Sequence, residues 1–348
     1  MQRNLQTKLR EVEGMRMLIR SYLRLGAGSR LFVRWNLDTT DLDGRAALSE
    51  FIDICGDDLV SVSAEAVDEQ SPFCPSDLEG YDVVLYVSKT RSIHRPQILT
   101  CLGNHVGKAT VFRLFDFGYE LFELCFRMPK DEMCDLNNGV LACAKASSKI
   151  TITSENGTNL VVRPDSLASW TSNHGHFRAP FPGVFPCGEV STYSGDVHGV
   201  LVADGAINMS YPFEFDPRLE SKRVVLTIND GLVTDYRCDD VLIDSLCKTL
   251  FAVENANRVG EIGLGTNEGI ERFVPFRSLI NERVAGFHLG IGSPVRKGTY
   301  PDWNCRLHTD FILARPTVHF DDEIVFSNGK WALPSGIVAE ADLYADAI

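Results

Sequence analysis

The chain has 348 residues, 44% of them hydrophobic, enough for two well-packed domains or one large one. Its 47 acidic against 34 basic residues give a formal charge of −13, which argues against nucleic acid or an anionic membrane as partner. It suits a small-molecule or short-peptide substrate. No apolar run approaches the roughly 20 residues of a membrane span, and "MQRNLQTKLREVEGMRM" has a charged, helical period rather than that of a signal peptide, so a cytoplasmic chain is expected. The ten cysteines are scattered without a CxxC pair, which excludes a zinc ribbon or disulfide framework and suits reduced thiols.

In chain order, Leu5, Leu9, Val12, Leu18 and Tyr22 predict an amphipathic helix that stops at "GAGS". "RLFVRWNL" reads as a strand, "DGRAALSEFIDICG" as a helix and "DLVSVSAEAV" as a strand. "YDVVLYVS" is a buried strand, "RPQILTCLGNHVG" a helix and "KATVFRLF" another strand. The alternation predicts a small three-layer α/β domain with a mainly parallel sheet over residues 1–150. Near residue 148 the pattern changes. "SKITITSENGTNLVVRP" is a hairpin turning at Asn156-Gly157, and "RVVLTINDGLVTDYRC" is a second, turning at Asp230-Gly231. With one clear helix at 239–256, residues 151–348 are expected to form a mostly antiparallel, β-rich domain.

That second domain carries the chemistry. In "RLHTDFILARP", Leu307, Thr309 and Phe311 alternate with Arg306, His308 and Asp310, so His308 and Asp310 share one strand face. "VGEIGLGTN" places Glu261 on the face of Gly263 and Gly265, opposite Ile262 and Leu264; "FHLGIGSP" places His288 on the face of Gly290 and Gly292. "PCGEVSTY" adds Glu189. A polar head followed by two missing side chains leaves space for something to come close. Three carboxylates and two imidazoles suit Zn, Mn, Co or Fe. Five such donors exceed what one catalytic ion takes and fit a pair of ions about 3.5–4 Å apart.

Residues from about 160 to 335 resemble the M29 aminopeptidases, the aminopeptidase T and aminopeptidase S group, through "PCGEVSTY", "HGVLVADGAI", "INDGLVTD", "VGEIGLGTN", "NERVAGFHLGIG" and "HTDFI". The resemblance implies an M29-like fold and a two-metal centre formed by Glu189, Glu261, His288, His308 and Asp310. It also implies a peptidase tyrosine seven residues after the histidine of H-x-x-x-G, but Val295 stands there, with Tyr300 nearby. Length and N-terminal layout resemble instead the 2,5-dihydroxypyridine dioxygenases, Fe(II) ring-opening enzymes of a related fold. These share H-x-D but use a histidine where this chain has Glu261.

The expectation is therefore a metal-dependent, dinuclear hydrolase of small peptides or amides, with Glu261 also handling a proton and the chain forming a dimer or larger homo-oligomer. Two alternatives stand beside it: a mononuclear Fe(II) dioxygenase-like enzyme, for which His288, His308 and Asp310 supply a 2-His-1-carboxylate triad, and a catalytically silent binding protein, which the loss at Val295 motivates. Candidates on the substrate side are His94, His174, His176, Arg296 and Tyr300.

Overall fold

The computed structural model describes residues 4–37, 41–68, 74–87, 109–179, 181–209, 215–276, 278–295 and 299–334. The chain divides into two compact units, Met1–Met133 with Asn173–Cys187, and Cys134–Ser172 with Gly188–Ile348. The sequence placed the division near residue 150. The structure places it after the first turn of the long helix that precedes that point, and a later segment folds back into the first unit.

In the first unit, strands β1 (Arg30–Asn36), β2 (Ser61–Val67), β3 (Val83–Val87) and β4 (Thr110–Leu114) run parallel in the order β2-β1-β3-β4. A short strand from the returning segment, β8 (Gly183–Phe185), extends the sheet beside β4. The apolar run of β3 is buried along its whole length, as an interior strand of a parallel sheet requires. Helix α1 (Leu5–Met17) is capped by the Asn4 side chain, and helix α2 (Leu42–Asp57) by Asp41. A π-helical turn, Leu18–Tyr22, carries the expected first helix to its predicted end. α1 packs on α3 (Tyr119–Cys125) where Gly14 meets the Phe122 carbonyl; any side chain there would collide with it. The helix expected from "RPQILTCLGNHVG" lies outside the described residues.

The second unit opens within α4 (Lys130–Ala146), whose Val140, Leu141 and Ala144 enter that unit's core. Eight strands form one antiparallel sheet: β5 (Ile150–Thr153), β6 (Asn159–Arg163), β10 (Asp196–Ala203), β12 (Val224–Asn229), β13 (Leu232–Cys238), β17 (Thr317–Phe320), β18 (Glu323–Ser327) and β19 (Lys330–Trp331). Their order is β13-β12-β10-β6-β5-β17-β18-β19. Both expected hairpins are present. Gly157, Asp230 and Gly231 have φ of 103°, 49° and 67°, the left-handed values a tight hairpin turn demands.

The other sheet has six strands: β7 (Trp170–Asn173), β9 (Glu189–Thr192), β11 (Ala206–Met209), β14 (Val259–Gly265), β15 (Gly286–Gly292) and β16 (His308–Ile312). Their order is β11-β16-β15-β14-β9-β7. Its Ile262, Leu264, Phe287, Leu289, Ile291 and Phe311 share one core with Leu160, Val162, Leu201, Leu226 and Ile228 of the eight-stranded sheet. Two short helices, α5 (Val241–Phe251) and α6 (Ser278–Glu282), complete the unit. With period two, the side chains between those core residues project from the opposite face of the six-stranded sheet.

All nine described cysteines are unbridged. Among the described residues no helix is long and apolar enough to cross a membrane.

Candidate metal centre

The register of the six-stranded sheet explains the glycines. Across adjacent strands Glu189 faces Gly265, Glu261 faces Gly290, and His288 faces Gly263. Asp310 faces Gly290 from the other side, and His308 faces Gly292. Each of the five side chains thus has, directly across the ladder, a residue without one. A β-carbon at Gly263 would overlap the His288 ring; at Gly290 it would come within 2.7 Å of Glu261 Cβ and 3.0 Å of Asp310 Oδ1. The missing side chains let long polar groups from neighbouring strands lie over the sheet and converge.

They do converge. His308 Nε2 lies 2.9 Å from Glu261 Oε2 and 2.9 Å from Asp310 Oδ1, and His288 Nε2 lies 3.2 Å from Glu189 Oε1. Ligand atoms of Glu261, Glu282, His288 and Asp310 lie within 4.8 Å of one another. Glu189, His288 and Asp310 are each 1% exposed, while the His308 side chain, at 12%, is the most open of the five. His308 Nδ1 donates to the Ser293 carbonyl at 2.8 Å, which leaves Nε2 facing the carboxylates.

Glu189 Oε1, Glu261 Oε1, Asp310 Oδ1 and His288 Nε2 are buried and lack a partner in hydrogen-bonding geometry, although some lie close to one another. Lone pairs crowded to about 3 Å yet not bonded to each other match adjacent ligands around an ion held at about 2.1 Å. Among the described residues, four carboxylates (Glu189, Glu261, Glu282 and Asp310) stand against one guanidinium, Arg283, all buried. Such an excess of negative charge is costly to bury unless a cation is supplied. The donors, the orphaned atoms and the charge all fit a divalent metal.

In the metal-free chain, protons do part of that work. Burial opposes charge on His288, but the Glu189 carboxylate 3.2 Å away outweighs it and lifts the imidazole to about 9. His308 is likewise raised well above its ordinary value, the negative charge of Asp310 overcoming burial. Burial pushes Glu261 and Asp310 upward, yet His308 holds both carboxyls below the usual range. Glu282 goes the other way: burial, aided by Glu189 and Asp310, raises it to about 8 against the pull of Arg283.

Three participants escape sequence reasoning. Glu282 ends helix α6 and Arg283 follows it; Arg283 Nη1 is 2.6 Å from Glu189 Oε2 and 3.3 Å from Glu282 Oε1. A Glu-Arg pair at a helix end reads as solvated, and only its place just ahead of the His288 strand hinted otherwise. Asn208, paired with Asp310 across β11 and β16, donates from Nδ2 to Glu282 Oε2 and Asp310 Oδ2, both at 3.1 Å.

The substrate-side candidates fare differently. His94 and Arg296 lie outside the described residues. His174 and His176 belong to the first unit, with ring centroids 5.7 Å apart. Burial, then the charges of His176 and Lys130, lower His174 to about 4. The Tyr300 hydroxyl is committed to Asp165, a hydrogen bond that raises the phenol to about 12. Val295 is half-buried, its N–H bonded to the Gly260 carbonyl at 3.0 Å.

A structure of 2,5-dihydroxypyridine dioxygenase from Pseudomonas putida KT2440 is similar over 93% of this chain and 98% of its own, with a TM-score of 0.63 and 15% identity. Wild-type AmpT from Thermus thermophilus is similar over 94% and 100%, with a TM-score of 0.59 and 15% identity. The fold is theirs. At that identity the likeness shows architecture alone, and it covers both expected units. A family described as "Crocagin biosynthetic protein CgnE/B" matches residues 191–321, a stretch that includes Glu261, His288, His308 and Asp310 and begins just after Glu189. No curated protein matches the chain.

Proposed function

We propose that the chain is a divalent-metal-dependent hydrolase acting on small peptide or amide substrates. The observation that supports this is the convergence of Glu189, Glu261, His288, His308 and Asp310 from four strands, with buried oxygen and nitrogen atoms that lack hydrogen bonds. Glu261, His308 and Asp310 would hold an ion, joined by His288 and Glu282 at the adjoining edge. When bound, the ion supplies Lewis acidity toward a carbonyl and a nucleophilic water at neutral pH.

The protein's own groups do the rest. Glu261 keeps its carboxylate charged, and its Oε1, which accepts no hydrogen bond, is the atom placed to take a proton from an attacking water. Glu282, which retains a proton at neutral pH in the metal-free chain, is the second proton carrier of the centre. Asn208 fixes the carboxyls of Glu282 and Asp310 relative to each other. Substrate would approach from the side of His308, the most open of the five.

The test is turnover without oxygen. The chain loaded separately with zinc, manganese, cobalt or iron is incubated under argon with aminoacyl amides and short peptides. Release of free amine, abolished by Asp310→Asn, is the expected result. An inert metal-loaded chain, or turnover that starts only when oxygen is admitted, would remove the hydrolase reading.

A further inference from the structure

The two ends of the centre are charged differently. At one end stand Glu261, Asp310 and His308: two carboxylates and an imidazole, with both carboxylates 2.9 Å from His308 Nε2 and, among the described residues, no lysine or arginine in ion-pair contact. A dication balances that charge. At the other end stands Glu189, with His288 and Glu282 between the two ends, and there the chain already supplies a cation. Arg283, 4% exposed, places Nη1 2.6 Å from Glu189 Oε2 and 3.3 Å from Glu282 Oε1.

A guanidinium does not lose its charge in a protein. It binds carboxylate oxygens in a planar fork, and burial in a carboxylate cluster strengthens the attachment. Arg283 is held from both sides along the chain. Glu282 is the last residue of α6, the Arg283 N–H bonds to the Ile280 carbonyl, and the Arg283 carbonyl accepts the N–H of Asn267. These bonds fix the main chain at Arg283, and its two carboxylate contacts and burial hold the guanidinium. A second dication seated on Glu189 would lie against a fixed positive charge, the Arg283 guanidinium 2.6 Å from Glu189 Oε2.

We propose that Arg283 acts as a built-in cation that takes the place of a second metal at the Glu189 end, so that the chain holds one ion, at Glu261, His308 and Asp310. This rests on the metal reading above and changes its stoichiometry from the two ions that five donors suggest. Glu189 becomes the anchor of the arginine rather than a metal ligand, and His288 lies against that anchor. The catalytic centre is then asymmetric: a mobile dication at the open end and an immobile monocation at the buried end.

Metal content decides the matter. The full chain is freed of metal, reconstituted with excess zinc or manganese, desalted, and measured by native mass spectrometry and elemental analysis. One ion per chain is expected for the wild type and for Glu189→Gln, two for Arg283→Met, and a loss of at least tenfold in uptake for His308→Ala. Two ions in the wild type, or a fall to zero in Glu189→Gln, overturns the built-in cation and leaves the metal reading standing. No uptake by the wild type overturns both. If Arg283→Met does not fold, the wild type and Glu189→Gln still separate the two arrangements.

Discussion

The two sheets of the second unit are both antiparallel, yet they bury their strands in opposite ways. In the eight-stranded sheet, β5, β6 and β12 alternate between buried and more open residues, the mark of one face on the core and one toward solvent. In the six-stranded sheet, every residue of β9, β14 and β15 is buried, although their sequences alternate just as regularly. Alternation of polar with apolar residues therefore does not by itself announce a wet face. What separates the two sheets is the residue beside each charge: in the six-stranded sheet it is glycine, one strand over, and the charge is folded inward onto the space that glycine leaves.

Substitutions can break this contrast, and the largest effect is expected at Gly263. Gly263→Val drives a branched side chain into the His288 ring. It should cost about 3 kcal/mol or more by overpacking and abolish metal uptake, read by thermal melting and elemental analysis. Next comes Asn208→Ala, which strips the shared donor from the carboxyls of Glu282 and Asp310. A loss of about 2 kcal/mol and a roughly 10- to 100-fold weaker metal affinity should appear in denaturant unfolding and titration calorimetry. At the small end, Thr227→Ala on the more open face of β12 should stay within about 0.5 kcal/mol.

The same contrast has a pH signature in the metal-free chain. His288 rises from an ordinary 6.5 to about 9, and Glu282 from 4.5 to about 8, so the folded state binds more protons than the unfolded one across both intervals. The stability from protonated His288 is complete below 6.5 and lost as pH climbs through about 9; ionisation of Glu282 acts in the same direction up to about 8. Metal-free protein should therefore melt at progressively lower temperature between pH 6.5 and 9. Metal affinity should rise over that interval as protons leave the donors. A melting temperature that is flat or rises across the window would show that these groups do not compensate one another as described.

Much of this was legible in the sequence, for definite physical reasons. Strand period and glycine spacing put Glu261, His288, His308 and Asp310 on a single face each, and the ladder turned that into convergence. The hairpins at Asn156-Gly157 and Asp230-Gly231 were legible because left-handed turns restrict residue choice. What was hidden depends on distant pairing. β8 is three residues long and joins a sheet whose other strands lie about 70 or more residues earlier in the chain, so no local pattern marks it. Arg283 and Glu282 look solvated in sequence because their partners, Glu189 for the arginine and Asn208 for the glutamate, lie on strands far along the chain. Asn208 is one polar residue in a four-residue strand, and only its pairing with Asp310 gives it a role.

The central claim, that carboxylates and imidazole from separate strands form one cation site, is tested most directly by X-ray absorption at the metal edge of the zinc-loaded chain. The account predicts a first shell of oxygen and nitrogen only, with imidazole scattering that is lost in His308→Ala. A sulfur shell from cysteine, or a purely oxygen shell unchanged by that substitution, would contradict it.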